Sequence, residues 1–175
     1  MALEQGCVQV YTGNGKGKTT ASLGLALRAV GRGLKVCVFQ FIKGGGRYGE
    51  HLAAEKLAPL LTIIQTGRPG WVNIKDITED RRAAQEALIQ AQELLTSGEY
   101  DIFICDEING AVGFGLIDVE QVLEMINRKP EKTELVLTGR NAHQLVMEAA
   151  DLVTEMREIK HYYKAGVPAR TGIEM

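Results

Sequence analysis

The sequence predicts a single-domain α/β protein built on a doubly wound, mainly parallel β-sheet. Segments typical of strands alternate with segments typical of helices along nearly the whole chain, which is the pattern of consecutive βαβ units. The strand at Val36–Phe41 is almost continuously apolar, as expected for a parallel strand buried on both faces. A length of 175 residues suits one domain, so we expect residues 1–175 to form it.

The elements follow one another without a repeat or a linker. A first strand at Cys7–Thr12 leads through a glycine-rich loop to a helix at Lys18–Gly31, whose many apolar residues predict that it is well buried. The further strands are expected at Val36–Phe41, Leu60–Gln65, Tyr100–Cys105, Glu134–Leu137 and Leu152–Met156. The further helices are expected at His51–Leu57, Thr78–Ser97, Asp118–Asn127 and Asn141–Ala150.

Three helix starts carry capping signals. Thr78 is the predicted N-cap of the longest helix. Asp118 with Gln121, and Asn141 with Gln144, have the spacing of a capping box.

Composition and charge exclude several classes of protein. A formal net charge of −2 gives no electrostatic reason to expect a nucleic-acid or membrane partner. Cys7, Cys37 and Cys105 lie in apolar runs and form no C-x-x-C pair, so we interpret them as buried thiols rather than disulfides or metal ligands. The sequence shows no signal peptide and no membrane-spanning run, which favours a cytoplasmic location.

The loop after the first strand has the form of a phosphate-binding P-loop. Gly13, Gly15 and Gly17 permit a tight turn that brings backbone N–H groups close to an anion. The usual glycine five positions before Gly17 is replaced by Thr12, so we expect a cradle of unusual shape. The alternative is an ordinary glycine-rich turn between a strand and a helix.

The side chains of this loop predict polyphosphate and metal binding. Lys18 can reach terminal phosphate oxygens, and the hydroxyl of Thr19 can ligate Mg²⁺. Lys16 either adds positive charge to the cradle or is simply exposed to solvent. The helix that begins at Lys18 adds unpaired N–H donors and a favourable dipole.

Ligands of such sheets bind outside the carboxyl ends of the strands. That rule predicts one site, built from the P-loop and from Gln40–Gly46, Thr66–Trp71, Asp106–Asn109 and Thr138–Arg140.

An acidic pair, Asp106-Glu107, ends the strand at Tyr100–Cys105. We expect this strand to lie beside the P-loop strand, with its carboxylates serving Mg²⁺ directly or through water. Alternation along a strand would send the two side chains to different sides, so their roles should differ. The alternative is a turn at the end of the strand, where Asp is common.

Cationic and aromatic candidates surround this predicted site. Arg140 follows a strand end, where it can contact an anion or a nucleotide. Lys43 and Arg47 flank a glycine triplet and either close over an anionic ligand or are solvated. Arg28 lies three turns into the first helix, where it either contacts the ligand or is a surface residue without a role. Trp71, in a Gly/Pro loop, either offers a flat apolar face to a large ring system or fills the edge of the core.

Several of these segments together resemble the P-loop type of ATP:corrinoid adenosyltransferase, the cob(I)alamin adenosyltransferase family. The resemblance runs from about Val8 to the C-terminus. The segments that carry it are Thr12–Thr20, Gln40–Gly44, Thr66-Gly67, Asp106-Glu107, Thr138–Arg140, Met156–His161 and Gly172–Glu174.

The resemblance implies a RecA-like P-loop NTPase fold and usually a homodimer. It implies transfer of the 5′-deoxyadenosyl group of ATP to a cobalt(I) corrinoid, giving adenosylcobalamin or an adenosylated precursor, with release of triphosphate. A reductase that supplies the electrons is a further partner. ATP would lie in the loop in a reversed sense, so that its 5′-carbon faces the acceptor.

The resemblance also implies roles for individual residues. Lys18, Thr19 and Glu107 would be catalytic, with Thr19 and Glu107 holding Mg²⁺, and Asn14 would lie at the ribose. Together with Lys16, Arg28, Trp71 and Arg140, which were singled out above from the residues themselves, the residues expected to bind ATP or the corrinoid are Gly13, Asn14, Gly15, Gly17, Lys18, Thr19 and Thr20.

Two departures from the family pattern concern the cover of the site. Enteric members have a Phe and a Trp in the loop where this chain has Gly67–Trp71 with one aromatic residue. They also have a longer segment before the first strand, where this chain has Met1–Gly6. Either the site is more open here, or another segment covers it.

Two other functions remain open from the sequence. One is a P-loop ATP-dependent phosphotransferase or NTP hydrolase, in which Glu107 would serve as the base. The other is a nucleotide-responsive corrinoid-binding module without turnover. The sequence also leaves open which corrinoid is the acceptor.

Overall fold

A computed structural model describes residues 3–70 and 72–175 of the chain. In these residues six strands form one sheet in the order β3-β2-β4-β5-β1-β6, and all neighbouring strands are parallel. The strands are β1 (Val8–Thr12), β2 (Val36–Gln40), β3 (Leu61–Gln65), β4 (Ile102–Asp106), β5 (Glu134–Thr138) and β6 (Leu152–Glu155).

The helices connect successive strands. They are α1 (Lys18–Val30), α2 (Gly49–Leu57), α3 (Thr78–Thr96), α4 (Ile108–Gly113), α5 (Val119–Arg128) and α6 (Gln144–Glu148), with a 3₁₀ turn at Tyr162–Ala165. Helix α4 is not predicted by the sequence, where two glycines in six residues obscure any helical pattern. In the described part of the chain, no helix is both long and apolar enough to cross a membrane.

The hydrophobic core lies on both faces of the sheet. One cluster joins Phe39, Phe103 and Leu135 to residues of α3, α4, α5 and α6. The other joins Val38 and Ile104 to residues of α1 and α2. The sheet is therefore covered by helices on both sides, which confirms the predicted α/β, doubly wound architecture.

The strand that ends in the acidic pair, β4, does not lie beside the strand that we predicted. We expected the strand that ends in Asp106 to lie beside the P-loop strand, but β5 separates β4 from β1. The acid still reaches the P-loop because α1 lies across this part of the sheet and packs against both β4 and β5. The carboxyl ends of these parallel strands share one edge, where the predicted site segments meet.

Helix α1 is less buried than its composition suggests. It turns small residues, Ser22, Ala26 and Ala29, toward the sheet, while Leu27 is 61% exposed. The count of apolar residues was misleading because it does not tell which face of the helix packs against the sheet. Leu23 and Leu27 instead line a cavity that is described below.

The structure confirms the predicted N-cap of α5 but not that of α3. The capping box is confirmed at α5, where the Gln121 side chain accepts the Asp118 N–H at 3.0 Å. The Thr78 cap is wrong, because Thr78 is already helical and Ile77 is the N-cap residue. Asp76 accepts the Thr78 N–H through its carboxylate at 3.1 Å.

The predicted cap at Asn141 is also wrong. Asn141 has a positive φ of 54° and lies before the helix. The N-cap of α6 is His143, whose Nδ1 accepts the Leu145 N–H at 3.3 Å. Helix α6 is therefore shorter than the sequence predicts.

The prediction of buried thiols is confirmed for two of the three cysteines. Cys37 and Cys105 are buried in strands, Cys7 is half-buried, and all three are free. Burial raises the pKa of Cys37 to about 12. Such thiols are poor nucleophiles and poor metal ligands.

Candidate functional site

A cavity of about 610 Å³ opens at the carboxyl edge of the sheet. Its polar end is formed by the P-loop together with Lys43, Glu107 and Arg140, and a set of apolar side chains forms an apolar wall. The wall consists of Leu23, Leu27, Ala53, Leu57 and Leu61, and a third side is formed by His161 and Gly172–Met175. Its volume and its mixture of surfaces suit a small-molecule ligand that is charged at one end.

The P-loop backbone is fastened to the chain that follows β6. The Gly15 N–H donates to the carbonyl oxygen of Met156 at 2.7 Å. Gly13 has a φ of 95°, and a Cβ placed on it would lie 2.4 Å from the same oxygen. Glycine is therefore required at Gly13 both by its conformation and by this close approach.

Lys18 is folded back over the loop. Its Nζ donates to the carbonyl oxygens of Gly13 at 2.8 Å and Gly15 at 2.9 Å. Burial is the main cause that lowers the pKa of Lys18, and the nearby carboxylate of Glu107 acts in the opposite direction. The N–H groups of Lys18, Thr19 and Thr20 occupy the first turn of α1, where no helical carbonyl can accept them. This end of the cavity is suited to an anion.

A buried hydrogen-bonded cluster centres on Asp106, which has no exposed surface. The hydroxyls of Thr19 and Thr138 donate to its Oδ1 at 2.9 and 2.6 Å. The Lys43 ammonium lies 2.6 Å from Oδ2 and donates to the Thr19 Oγ1 at 3.1 Å. The P-loop and the acidic strand are thus joined directly, although β5 lies between their strands.

Glu107 is oriented differently from its neighbour in sequence. It adopts a left-handed conformation with a φ of 64°, and its N–H donates to the Thr138 Oγ1 at 3.1 Å. Its carboxylate lines the cavity. Burial, and next the charge of Asp106, raise the pKa of Glu107, while Lys43 and other nearby cations oppose the shift. The two acids therefore occupy different environments.

The donor set at this end of the cavity fits Mg²⁺. The Thr19 hydroxyl and the carboxylates of Asp106 and Glu107 are hard oxygen donors, and Mg²⁺ commonly takes one or two carboxylates with phosphates and water. The Oε1 atom of Gln40, beside Asp106, is buried without a hydrogen-bond partner among the described residues. That acceptor suits a metal-bound water. Residues 3–70 and 72–175 hold no cluster of three His, Cys, Asp or Glu ligands. A bound metal ion would therefore need phosphate oxygens as further ligands.

Most of the predicted site residues meet in the cavity. Those that line it are Gly15, Lys16, Gly17, Lys18, Thr19, Thr20, Glu107 and Arg140. Gly13 does not line the cavity, but its carbonyl oxygen accepts a hydrogen bond from the Lys18 ammonium. Asn14 is exposed and does not line the cavity either. Arg28 is exposed on α1 and is not brought to the cavity. Trp71 lies outside the described residues.

Sequence reasoning missed the apolar wall and the C-terminal side. The wall comes from α1 and α2 and from the start of β3, which a reading limited to strand ends does not include. The segment Thr66–Gly70 also has an unexpected role, because it supports the loop that carries Lys43. The Gly67 N–H donates to the Lys43 carbonyl oxygen at 3.1 Å, and Gly44 packs against the backbone of Arg68.

The C-terminal segment, residues 161–175, covers one side of the cavity. Its conformation is stabilised by hydrogen bonds between its own residues. The carboxylate of Glu174 accepts from the Arg170 N–H at 2.9 Å and from its guanidinium at 3.1 Å, and also from the Tyr162 hydroxyl. The Arg170 guanidinium lies 4.8 Å from the centre of the Tyr162 ring. Hydrogen bonds from Arg170 and Tyr162 lower the pKa of Glu174 to about 2. The C-terminal segment therefore forms a covered side of the cavity, and the two alternatives given above for the N-terminal cover both stay open.

The model of one protein family, described as ATP:corrinoid adenosyltransferase BtuR/CobO/CobP, matches residues 4–175. The chain belongs to the ATP:corrinoid adenosyltransferase family. The resemblance noted from the sequence is thereby confirmed. An ATP:corrinoid adenosyltransferase is a transferase with ATP and a corrinoid as substrates, which favours this function over a phosphotransferase, a hydrolase or a module without turnover.

Relatives named corrinoid adenosyltransferase align over nearly the whole chain. The protein of Escherichia coli (strain K12) is 38% identical over 98% of this chain and 86% of its own length. That of Pseudomonas aeruginosa (strain PAO1) is 36% identical over 98% of this chain and 84% of its own. The Salmonella typhimurium (strain LT2) protein is 36% identical over 98% and 86%.

A solved structure supports the fold. The flagellar accessory protein FlaH from Methanocaldococcus jannaschii matches with a TM-score of 0.62 and 12% identity, over 87% of this chain and 72% of that one. At this identity the likeness concerns the fold alone, and it agrees with the predicted α/β architecture of this adenosyltransferase-family chain.

Proposed function

We propose that this chain transfers the 5′-deoxyadenosyl group of ATP to the cobalt(I) ion of a corrinoid and releases triphosphate. The observation that carries the proposal is the composition of the cavity. The cavity is lined by cations and unpaired N–H groups of the P-loop and by an apolar wall. A triphosphate suits the first of these surfaces, and a flat apolar ring system suits the second.

The bond changes explain why such a site is sufficient. The cobalt(I) ion supplies the electron pair for a new cobalt–carbon bond to C5′. The C5′–O bond breaks, and its electron pair leaves with the triphosphate. Because cobalt is the nucleophile, the protein has to position the reactants and neutralise the leaving group. Neither task needs a side-chain nucleophile or a general base.

We assign the polar end of the cavity to the triphosphate. The Lys18 ammonium and the first-turn N–H groups of α1 neutralise the negative charge that accumulates as C5′–O breaks. Lys16, Thr20 and Arg140 line the same end and add to the positive field. Gly13, Gly15 and Gly17 give the loop the shape that permits this approach.

Magnesium is part of the proposal. Thr19 and Glu107 would hold it, as the sequence predicts, and Asp106 joins them because its carboxylate accepts the Thr19 hydroxyl. When bound, the ion would draw negative charge from the triphosphate and so make it a better leaving group.

Three residue predictions rest on the sequence and not on the lining of the cavity. By the resemblance, Asn14 would lie near the ribose. By their positions in the sequence, Arg28 and Trp71 would contact the nucleotide or the corrin, although Arg28 lies on an exposed face of α1 outside the cavity lining.

Three further proposals concern partners and location. The family resemblance supports a homodimer, and a cytoplasmic location stays a prediction from the sequence. A separate reductase would supply the electrons for cobalt(I).

Incubation with Mg²⁺-ATP and chemically reduced cobalamin tests the proposed function. We expect the corrinoid spectrum to change to that of adenosylcobalamin, at a rate proportional to protein concentration. A reaction that gives ADP and phosphate, with no cobalt–carbon bond, would contradict the proposal and favour a phosphotransferase or hydrolase.

A further inference from the structure

Lys43 occupies a position at the junction of the P-loop and the acidic strand. Its Nζ lies 2.6 Å from the Asp106 Oδ2 and 3.1 Å from the Thr19 Oγ1. We propose that Lys43 is an internal cation that holds the metal position while no divalent cation is bound, and that it moves onto the triphosphate when the metal enters. This inference rests on the metal site of the proposed function.

The buried carboxylate explains why a cation is needed there. Asp106 has no exposed surface, and a buried charge without a partner is strongly unfavourable. The hydroxyls of Thr19 and Thr138 supply hydrogen bonds to it but no charge. Lys43 supplies the charge, and its 2.6 Å contact holds the Asp106 carboxylate in place.

The two cations exclude one another because they use the same oxygen atoms. Mg²⁺ binds its oxygen ligands at about 2.0–2.1 Å. A metal ion bound by the Thr19 hydroxyl and by the Asp106 carboxylate would overlap with an ammonium that already contacts both. The two positive charges would also repel one another strongly at such a distance. Metal binding therefore requires Lys43 to leave.

The structure gives the released ammonium a destination. The Lys43 backbone is held by the Gly67 N–H, whereas its side chain is 25% exposed and lines the cavity. A lysine has a long flexible stem, so the ammonium can turn toward the space assigned to the triphosphate. Lys18, in contrast, is held by two carbonyl oxygens of its own loop.

One consequence is that metal and triphosphate promote each other's binding. The metal frees Lys43 for the phosphates, and the phosphates stabilise Lys43 away from the metal position. Such a coupling is reciprocal by thermodynamic necessity. Removing Lys43 should therefore favour the metal alone and disfavour the triphosphate.

The test measures Mn²⁺ binding to the full chain by electron paramagnetic resonance, without nucleotide. The variant is Lys43→Met, and the matched control is Arg47→Met. Arg47 belongs to the same loop but is 62% exposed and pairs with Glu55. We expect Lys43→Met to bind Mn²⁺ at least tenfold more tightly and inorganic triphosphate at least tenfold more weakly. Arg47→Met should change neither by more than twofold. Mn²⁺ affinity that is unchanged or weaker in Lys43→Met overturns the inference.

A second measurement uses the wild-type protein and therefore does not depend on the folding of Lys43→Met. The rate at which an amine reagent modifies Lys43 is followed by mass spectrometry. Mn²⁺ alone should raise this rate, and added triphosphate should lower it again. A rate that Mn²⁺ leaves unchanged overturns the inference.

An assay of adenosyl transfer by the wild-type protein distinguishes a failure of the inference about Lys43 from a failure of the proposed function. Transfer that is intact while Lys43 fails either test leaves the proposed function standing and removes the role of Lys43. Loss of transfer in the unchanged chain would instead overturn the proposed function itself.

Discussion

The P-loop end of the cavity and its C-terminal side each contain a glutamate, and the two are held in opposite ways. Burial raises the pKa of Glu107, whereas hydrogen bonds from Arg170 and Tyr162 lower the pKa of Glu174 to about 2. The charge of Glu107 is thus unfavourable until a cation arrives, while the charge of Glu174 is already used to fasten its own segment. The P-loop end is therefore suited to binding a ligand, whereas the C-terminal side is stabilised by its own internal contacts.

The largest effect should come from the polar end. Replacing Lys18 with Ala removes the ammonium that faces the triphosphate. We expect the rate of adenosyl transfer to fall by about 10³-fold. The circular dichroism spectrum should stay unchanged, because the sheet does not depend on Lys18. A variant that keeps a tenth of the activity would contradict the role of Lys18.

Replacing Glu107 with Gln should have the next largest effect on turnover. The change keeps the shape of the side chain but removes a charge that would serve the metal, so we expect transfer to fall by about 10²-fold. Because the pKa of Glu107 is raised, its ionised form opposes folding at neutral pH, and the variant should melt at the same temperature or higher. A lower melting temperature would indicate that Glu107 is structural.

Gly13→Ala tests the attachment of the P-loop, with Gly33→Ala as the matched control. Both glycines have a positive φ, but a Cβ at Gly13 would meet the Met156 carbonyl at 2.4 Å, whereas at Gly33 nothing lies within 4 Å. We expect Gly33→Ala to cost about 1–2 kcal/mol of unfolding free energy and Gly13→Ala more than about 3 kcal/mol. Equal losses in denaturant titrations would show that the close approach is unimportant.

The same change of Glu to Gln on the C-terminal side should have a smaller effect than at Glu107. Glu174→Gln weakens the attachment of Arg170 and Tyr162, so the segment covers the cavity less of the time. We expect the KM for ATP to rise by a few-fold while kcat changes little, since Glu174 does not take part in the assigned chemistry. A loss of kcat as large as that of Glu107→Gln would contradict the comparison.

The smallest effect is one of pH on the C-terminal segment. The pKa of Glu174 falls from its ordinary value of 4.5 to about 2 in the folded chain. The attachment is therefore fully present above pH 4.5 and is lost as the pH falls from there toward 2. Hydrogen exchange at the Arg170 amide, corrected for its intrinsic rate, should lose protection in that range. The same profile in Glu174→Gln would show that another group is responsible.

The fold and the P-loop could be predicted because their signals are local. Apolar strand runs such as Val36–Gln40 and the Gly-Lys-Thr sequence at Lys18 carry their meaning within a few residues. The order of the strands is not local, and the placing of β5 between β4 and β1 depends on contacts that no short pattern encodes. The burial of α1 was misjudged for a related reason, since composition does not tell which face meets the sheet.

The candidate site was predicted in part. The strand-end rule led to Glu107 and Arg140, which line the cavity. It could not show that Asp106 would join Thr19 and Lys43, because that contact depends on the path of α1 across the sheet. The apolar wall and the self-fastened C-terminal segment come from parts of the chain that are far apart in sequence, so only the structure brings them to the P-loop.

The most direct test of the central claim, that the P-loop holds the triphosphate as a leaving group, is ³¹P nuclear magnetic resonance of the products. Mg²⁺-ATP and chemically reduced cobalamin are incubated with the protein until the corrinoid is consumed. The account predicts one equivalent of intact inorganic triphosphate for each cobalt–carbon bond formed. Resonances of ADP and inorganic phosphate in place of triphosphate would contradict it.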